Sequence, residues 1–342
     1  MKKKVSLIVA CRNEQKYIGE ALKSLLTQDY PKEFMELLII DGRSEDDTLQ
    51  IVNNYQKEYP FIKVHDNPLR VATHAFNIGI QNATGDYIFL IGSHCEYPIN
   101  YISRLVLCAQ NYNANIVGGL LLTSIRNKNL VSNSIKKVLS NRFGVGNAIF
   151  RTGVTTIQET DTVAYGCYER ALFDEFGLFN ENLIRNQDIE FNRRIVNNKG
   201  KIIIVPDVTV IYYARENLDD LAKNNFQNGY WNPLTVFYTD SFKSISLRHY
   251  VPMMFILFIL FFGCLSFFSI YFLGVLAGVF LVYLTILGIV SYKINDDGTS
   301  WLQLLKTFIV IHFSYGIGSL AGLIKVTEMK IGGPSKSKIN QL

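Results

Sequence analysis

From Val251 to Tyr292 the chain runs for 42 residues without Asp, Glu, Lys, Arg or His, and no other feature limits its fold as strongly. One helix of that length would extend roughly 63 Å at ~1.5 Å per residue, about twice a ~30 Å hydrocarbon core. The run must therefore fold back, which predicts two spans with a break near Phe272–Gly274. A large buried core is the alternative, but soluble helices are rarely apolar all round over such a length. A second stretch, Thr307–Ile324, has 18 residues without Asp, Glu, Lys or Arg, and its Gly318 and Gly322 have the spacing that permits close helix contact in lipid. Lys243, Arg248 and His249 precede the first span, so the positive-inside rule places the N-terminal part in the cytoplasm. Three full spans would put Lys325, Lys330, Lys336 and Lys338 outside. Either the third stretch is re-entrant or interfacial, or the rule is broken. The expected location is the cell membrane, multi-pass, with two to three helices over 246–330 and a flexible tail over 331–342.

Up to about residue 245 the chain reads as a soluble α/β protein. The 13% aromatic content excludes a disordered chain, and 24 Gly with 8 Pro exclude a collagen-like one. A net charge of +5, dispersed along the sequence, gives no nucleic-acid signature. The five cysteines (Cys11, Cys95, Cys108, Cys167, Cys264) contain no CxxC pair and read as free thiols. The start, Met1–Ala10, has lysines before an apolar run, but that run is short and meets Arg12, Asn13 and Glu14 at once, so it reads as a buried strand rather than a signal peptide. Apolar runs without alternation recur at Val5–Ala10, Leu37–Ile40 and Tyr87–Ile91, with a weaker one at Phe61–Val64. Helical periodicity lies between them, through Ile18, Ala21, Leu22 and Leu25, then Leu49, Val52 and Tyr55. Strands apolar on both faces and separated by helices predict a mostly parallel, Rossmann-like sheet covered on both sides. Ligands in such sheets bind beyond the carboxyl ends of the strands, here Cys11–Glu14, Asp41–Thr48 and Gly92–Glu96.

Those ends carry CRNE, DGRSEDDT and GSHCEYP. No GxGxxG and no P-loop pattern follows any strand, which removes the main support for a dinucleotide oxidoreductase or an NTPase. The segments SLIVACRNEQKYIGEALKSLLTQDYP, LLIIDGRSEDDT and NPLRVATHAFNIGIQNATGDYI together resemble the nucleotide-binding half of a family 2 glycosyltransferase of the GT-A fold. The resemblance implies that Arg12 and Glu14 lie near the nucleoside, that Asp41 accepts from the base, and that Arg43, Arg70 and Asn77 help line the nucleotide pocket. Asp41 beside Gly42 also reads as a turn-forming residue. Within residues 1–245, it divides a nucleotide half (1–98) from an acceptor half (99–245).

The second half, with DTVAYGCYERALFDEFGLFNENLIRNQDIEFNRR, FQNGYW and HFSYGIGSLAGLIK, is similar to the succinoglycan-biosynthesis-type branch, in which membrane segments follow the catalytic domain. The resemblance makes Asp188 the base that takes the proton from the acceptor hydroxyl, with Arg185 and Gln187 at the sugar site. Inverting transfer displaces the nucleotide at the anomeric carbon, and a sugar hydroxyl attacks well only as its proton leaves; a positioned carboxylate contributes about 10² to 10⁴-fold. Asp188 also reads as the cap of a helix over Ile189–Asn197. Glu190 reads as structural, and Arg194 as the partner of a carboxylate in the fold. FQNGYW resembles a loop that closes over donor and acceptor, with Gln227, Tyr230 and Trp231 at the sugar; an interfacial aromatic belt is the other reading.

The fourth strand departs from the family. Its Asp-x-Asp or Asp-x-His motif holds a divalent cation on the donor diphosphate, and here Gly92-Ser93-His94 lacks the first carboxylate. Ser93, His94 and Glu96 are the remaining candidates for metal and diphosphate, with Mn²⁺ or Mg²⁺ as the expected cofactor. His94 and Glu96 also read as a solvated loop. The resemblance therefore implies an inverting, membrane-anchored hexosyltransferase. It would move sugar from a nucleotide-diphosphate donor, a UDP-sugar, to a polyprenyl-linked saccharide in exopolysaccharide or cell-surface polysaccharide synthesis. The lipid bilayer would be a partner and nucleic acid would not. The rivals are a transferase loading polyprenyl phosphate directly, a degenerate non-catalytic subunit of an assembly complex, and a transporter, which would need many more spans.

Overall fold

The structure, a computed structural model, describes residues 2–332. Most of the expected tail over 331–342 lies outside the described residues. The apolar runs become strands: β1 (Val5–Cys11), β2 (Met35–Asp41), β3 (Ile62–Asp66) and β4 (Tyr87–Gly92). The alternating helices are α1 (Ile18–Leu26), α2 (Thr48–Glu58) and α3 (Ala72–Asn82). Every residue of β2 and β4 is buried, which is why neither sequence alternates. In α1 the stripe of Ile18, Ala21, Leu22 and Leu25 is buried as the periodicity requires.

Beyond β4 follow β5 (Cys95–Glu96), α4 (Tyr101–Tyr112), β6 (Ile116–Ser124), α5 (Leu130–Leu139), α6 (Arg142–Val145), α7 (Ile149–Thr152), β7 (Gln158–Glu159), β8 (Cys167–Glu169), α8 (Ala171–Phe176), α9 (Gln187–Asn197) and β9 (Ile202–Tyr213). The strand order is β3-β2-β1-β4-β8-β6-β9-β5, with β7 on β9. The first four strands are parallel to one another. Pairing turns antiparallel at β8, which sits between β4 and β6. At the amino ends of the strands the buried Glu36 carboxylate accepts from the hydroxyls of Ser6 and Thr84 and from Lys63. Burial alone would raise its pKa, but these donors overcome burial and hold it at about 2.

The described residues form two compact units: residues 2–122 with Ile149–Tyr213, and Thr123–Ala148 with the residues from Ala214 onward. The second unit contains α5, α6, the 22-residue helix α10 (Leu218–Thr239) and three helices long and apolar enough to cross a membrane. The first runs from Leu247 to Leu265 and contains α11 (Val251–Leu265); the others are α12 (Ile270–Ile294) and α13 (Trp301–Ile331). The turn in the uncharged run falls at Ser266–Ser269, not at the expected Phe272–Gly274. Ser266 donates its hydroxyl to the Gly263 carbonyl and Ser269 caps α12 through the Tyr271 amide. Gly274 lies inside α12 with open space around it, so nothing there requires a break.

The three apolar helices differ in one respect. In the span-length windows containing α11 and α12, 6% of residues are buried, against 39% in α13. Gly318 and Gly322 do make a close helix contact, but the partner is α10. A Cβ on Gly318 would stand 2.1 Å from the Phe226 carbonyl oxygen, and one on Gly322 2.1 Å from that of Tyr230. Asn232 reinforces the contact by donating to the Tyr315 hydroxyl at 2.9 Å. At its other end α13 packs Leu304, Phe308 and Ile311 with Ile135 and Val138 of α5. Lys137 of α5 meets Asp296 at 2.6 Å and donates to the Ile294 carbonyl, holding the α12–α13 connection. Since the α10–α13 approach leaves no room for a methyl group, Gly318→Ala should cost about 1–3 kcal/mol. The expected outcome is a lower melting temperature of the detergent-solubilised chain, while Gly274→Ala leaves it unchanged within error.

Candidate functional site at the strand ends

The parallel register brings the carboxyl ends of three strands level: Cys11 lies opposite Asp41, and Ala10 opposite Gly92. Backbone and side-chain bonds then lace the first two loops together. The Asn13 amide donates to Ser44 Oγ at 3.0 Å, the Glu45 amide to Asn13 Oδ1 at 2.9 Å, and the Glu14 amide to Thr48 Oγ1 at 2.7 Å. Asn13 takes a left-handed φ of 56°, a conformation short polar side chains tolerate. Asp41 is 4% exposed and accepts from both the hydroxyl and the amide of Ser44, at 2.6 and 3.0 Å. It therefore builds the DGRS turn, as an aspartate beside Gly42 can, and it remains at the strand end.

The cations divide. Arg12 is exposed and packs across Gly42, while Arg43 forms a two-pronged pair with Asp66 and Arg70 reaches Glu45 at 3.3 Å. Asn77 does not face these loops. It is 2% exposed, donates to the Phe179 carbonyl and to Glu181, and accepts from the Phe179 amide. All of its capacity serves to hold the 179–181 segment, so a nucleotide-lining role for it is corrected.

After β4 the loop closes a small ring of polar and aromatic groups. His94 Nδ1 lies 2.9 Å from Glu14 Oε2, and its ring meets Tyr17 edge-on at 5.3 Å. Tyr213, 6.4 Å from Tyr17, donates its hydroxyl to Glu96 at 2.5 Å. Ser93 is 5% exposed. The expected cation finds a poor donor set here. Glu14 and Glu96 already have partners, and the described residues contain no group of three His, Cys, Asp or Glu able to hold a metal. Position 92 cannot regain its carboxylate in this packing. A Cβ there would lie 2.5 Å from Cε1 and 2.9 Å from the hydroxyl of Tyr165, so the phenol fills the space the missing side chain would need. The residues present do not fit a protein-held divalent ion.

Asp188 is the second residue of α9, whose cap position is Asn186 at φ 63°. The helix thus begins two residues earlier than expected, and Asp188 lies in its first turn rather than capping it. There the helix dipole favours negative charge. The carboxylate accepts from the Ile189 amide at 2.9 Å. Burial is the largest influence on it and pushes its pKa above the ordinary aspartate range; the amide opposes this only in part. Gln187 and Arg185 flank it, both half-buried, and Arg185 has further interactions of its own. Glu190 and Arg194 pair at 2.5 Å, and Arg194 also holds the carbonyls of Phe176 and Leu178. They brace the fold, as the sequence indicated.

FQNGYW is not a loop. It lies inside α10, in the second unit, where Gly229 meets Tyr315 and Ser319. Trp231 is 5% exposed, so its ring offers no face to a sugar. Tyr230 stacks on Phe226 at 6.3 Å, and only Gln227 is exposed, on an open groove of about 310 Å³ with Ala222, Lys223, Phe226 and Ser314. Sequence reasoning missed Tyr165, which takes a left-handed φ of 52°. The signal available was the glycine at position 92, where the family carries a carboxylate.

Comparison with known proteins gives a consistent family. The family model described as Glycosyl transferase family 2 matches residues 6–172. The chain is 30% identical over 233 residues to the Dolichyl N-acetyl-alpha-D-glucosaminyl phosphate 3-beta-D-2,3-diacetamido-2,3-dideoxy-beta-D-glucuronosyltransferase of Methanococcus voltae, covering 66% of this chain and 71% of that protein. It is 26% identical to the Succinoglycan biosynthesis protein ExoA of Rhizobium meliloti, covering 65% and 67%. In fold it is similar to the mannosyltransferase PcManGT of Pyrobaculum calidifontis, solved with GDP-Man and Mn2+, at a TM-score of 0.60 and 14% identity over 94% of this chain and 88% of that one.

Tyr165 and Gly92 should behave as one unit. Gly92→Ala is expected to cost about 1–3 kcal/mol by forcing the phenol aside. On a Tyr165→Ala background the same change should cost clearly less, a coupling that a double-mutant cycle of thermal unfolding reads directly.

Proposed function

The chain belongs to glycosyl transferase family 2, and we propose that it is an inverting enzyme acting on a saccharide carried by a membrane polyprenyl lipid. Sugar would come from a nucleotide-diphosphate donor, a UDP-sugar, bound beyond the carboxyl ends of β1, β2 and β4. Arg12, Asp41 and the neighbouring Arg43 and Arg70 would hold the nucleoside and its ribose, with Glu14 positioning His94. One observation carries the reading: Asp188 is a carboxylate set in a helix first turn, pressed by burial towards higher basicity, and among the described residues it accepts only from the backbone amides of Ile189 and of Asp188 itself. Such a group can take a hydroxyl proton as the acceptor oxygen attacks the anomeric carbon and the nucleoside diphosphate leaves with its electron pair. A carboxylate serving only the fold would be expected to carry several donors or an arginine, as Glu190 does.

The three apolar helices mark membrane association. We propose that α11 and α12 cross the bilayer, that α13 does not, and that the catalytic part is cytoplasmic. The middle of α13 lies against α10 and beside Lys223 and Gln227, and α10 itself opens with Asp219 and Asp220. Carrying these groups into hydrocarbon would cost several kcal/mol. With two crossings, Lys325 and Lys330 stay on the side of Lys243 and Arg248, which satisfies the charge rule that three crossings would break. Anchoring in this way raises the local concentration of a lipid-borne acceptor.

Membranes containing the chain, given a panel of labelled nucleotide sugars and extracted lipid acceptors, should transfer label from one donor to the lipid fraction. Asp188→Asn should lower that rate about 10² to 10⁴-fold while donor binding survives; full transfer by the variant would remove Asp188 from its role. The same substitution should raise the melting temperature at neutral pH. A carboxyl whose folded pKa is raised adds stability while protonated and loses it as pH rises through that pKa. The gain should therefore vanish in acid, where both side chains are neutral. For the membrane arrangement, tags at the two termini should be cleaved from the same face of sealed vesicles. Cleavage from opposite faces would mean that α13 crosses.

A further inference from the structure

The following rests on the reading that the strand ends bind a nucleoside diphosphate. Two phosphoryl groups bring concentrated negative charge to the end of β4, and something must balance it. The usual carboxylate-held cation lacks its first ligand here, and the space for that ligand is taken by the ring of Tyr165. That ring is not free to leave. Its residue sits at a left-handed φ of 52°, and its carbonyl accepts from the buried Tyr101 hydroxyl. The Cys95 thiol is hydrogen-bonded to the phenol.

Beside this group stands a cation that the sequence did not mark. The Arg151 guanidinium lies 5.0 Å from the centre of the Tyr212 ring and 5.7 Å from that of Phe150. Tyr212 is in register with Cys95, three residues past Gly92, so Arg151 is held at the turn that follows β4. Its positive charge acts on Cys95 and Tyr165, opposing the upward push of burial on both. A guanidinium also suits phosphate better than an ammonium, because its planar donors reach two oxygens at once.

We propose that Arg151 balances the donor diphosphate in place of a divalent cation, so that this chain binds nucleoside diphosphates without metal. Gly92 and Tyr165 are then two halves of one replacement. Loss of the carboxylate made room for the phenol, and Arg151 supplies the charge that the ion would have brought.

Calorimetry on the full-length chain in detergent, with UDP and GDP as probes, tests this. Whichever probe binds should do so in EDTA within about threefold of its affinity in Mn²⁺. Arg151→Gln should weaken it about tenfold or more in both buffers, with the corresponding nucleoside monophosphate much less affected, and Arg151→Lys should recover part of the loss. That recovery, with unchanged melting temperatures, separates lost charge from misfolding. Wild-type binding that disappears in EDTA, or Arg151→Gln binding as tightly as wild type, would overturn the proposal while leaving the nucleotide site intact. A folded chain that binds neither probe in either buffer would instead sink the nucleotide-site reading beneath it.

Discussion

The site depends on strands that stop level with one another. β1 pairs in register with β2 and with β4, so Cys11, Asp41 and Gly92 end at one edge of the sheet. β2 and β4 are buried on both faces, so a strand slipped by one residue would have to repack its side chains against two covered faces at once. The loops leaving this edge are then tied to each other rather than to the core, through Asn13 with Ser44 and Glu45 and through Glu14 with Thr48. Rigid strands supply position, and short polar loops supply the chemistry.

A second constraint governs the apolar end of the chain. α10 and α13 approach until backbone carbonyls meet the α-carbons of Gly318 and Gly322. In lipid, small residues serve this purpose between spans. Here they join an apolar helix to one with a charged first turn, which explains why α13 is so much more buried than its neighbours. Hydropathy alone cannot separate these cases, because it measures composition and not the partner.

Much of the fold was legible because it is written in local pattern. Continuous apolar runs marked the parallel strands, and the stripe through Ile18 and Leu25 marked α1. The break between α11 and α12 lies at Ser266–Ser269 rather than near Phe272–Gly274, because serine hydroxyls satisfy the helix ends there while Gly274 has open space around it inside α12. FQNGYW resembles a loop in sequence, but its glycine serves packing within a helix. Asn77 carries no local mark of its bond to a segment about a hundred residues later. The partnership of Gly92 with Tyr165 was invisible for the same reason: it joins positions distant in sequence, and only an unexpected glycine hinted at it.

The account turns on the state of one carboxyl group. Isotope-edited infrared difference spectra, wild type minus Asp188→Asn, follow the protonated C=O stretch of Asp188 as pH is varied. A titration midpoint above the ordinary aspartate value is the predicted result, since burial disfavours the charge and two backbone amides offset it only in part. A midpoint at or below that range would describe a solvated or ion-paired carboxylate, and would contradict the assignment of Asp188 as the base.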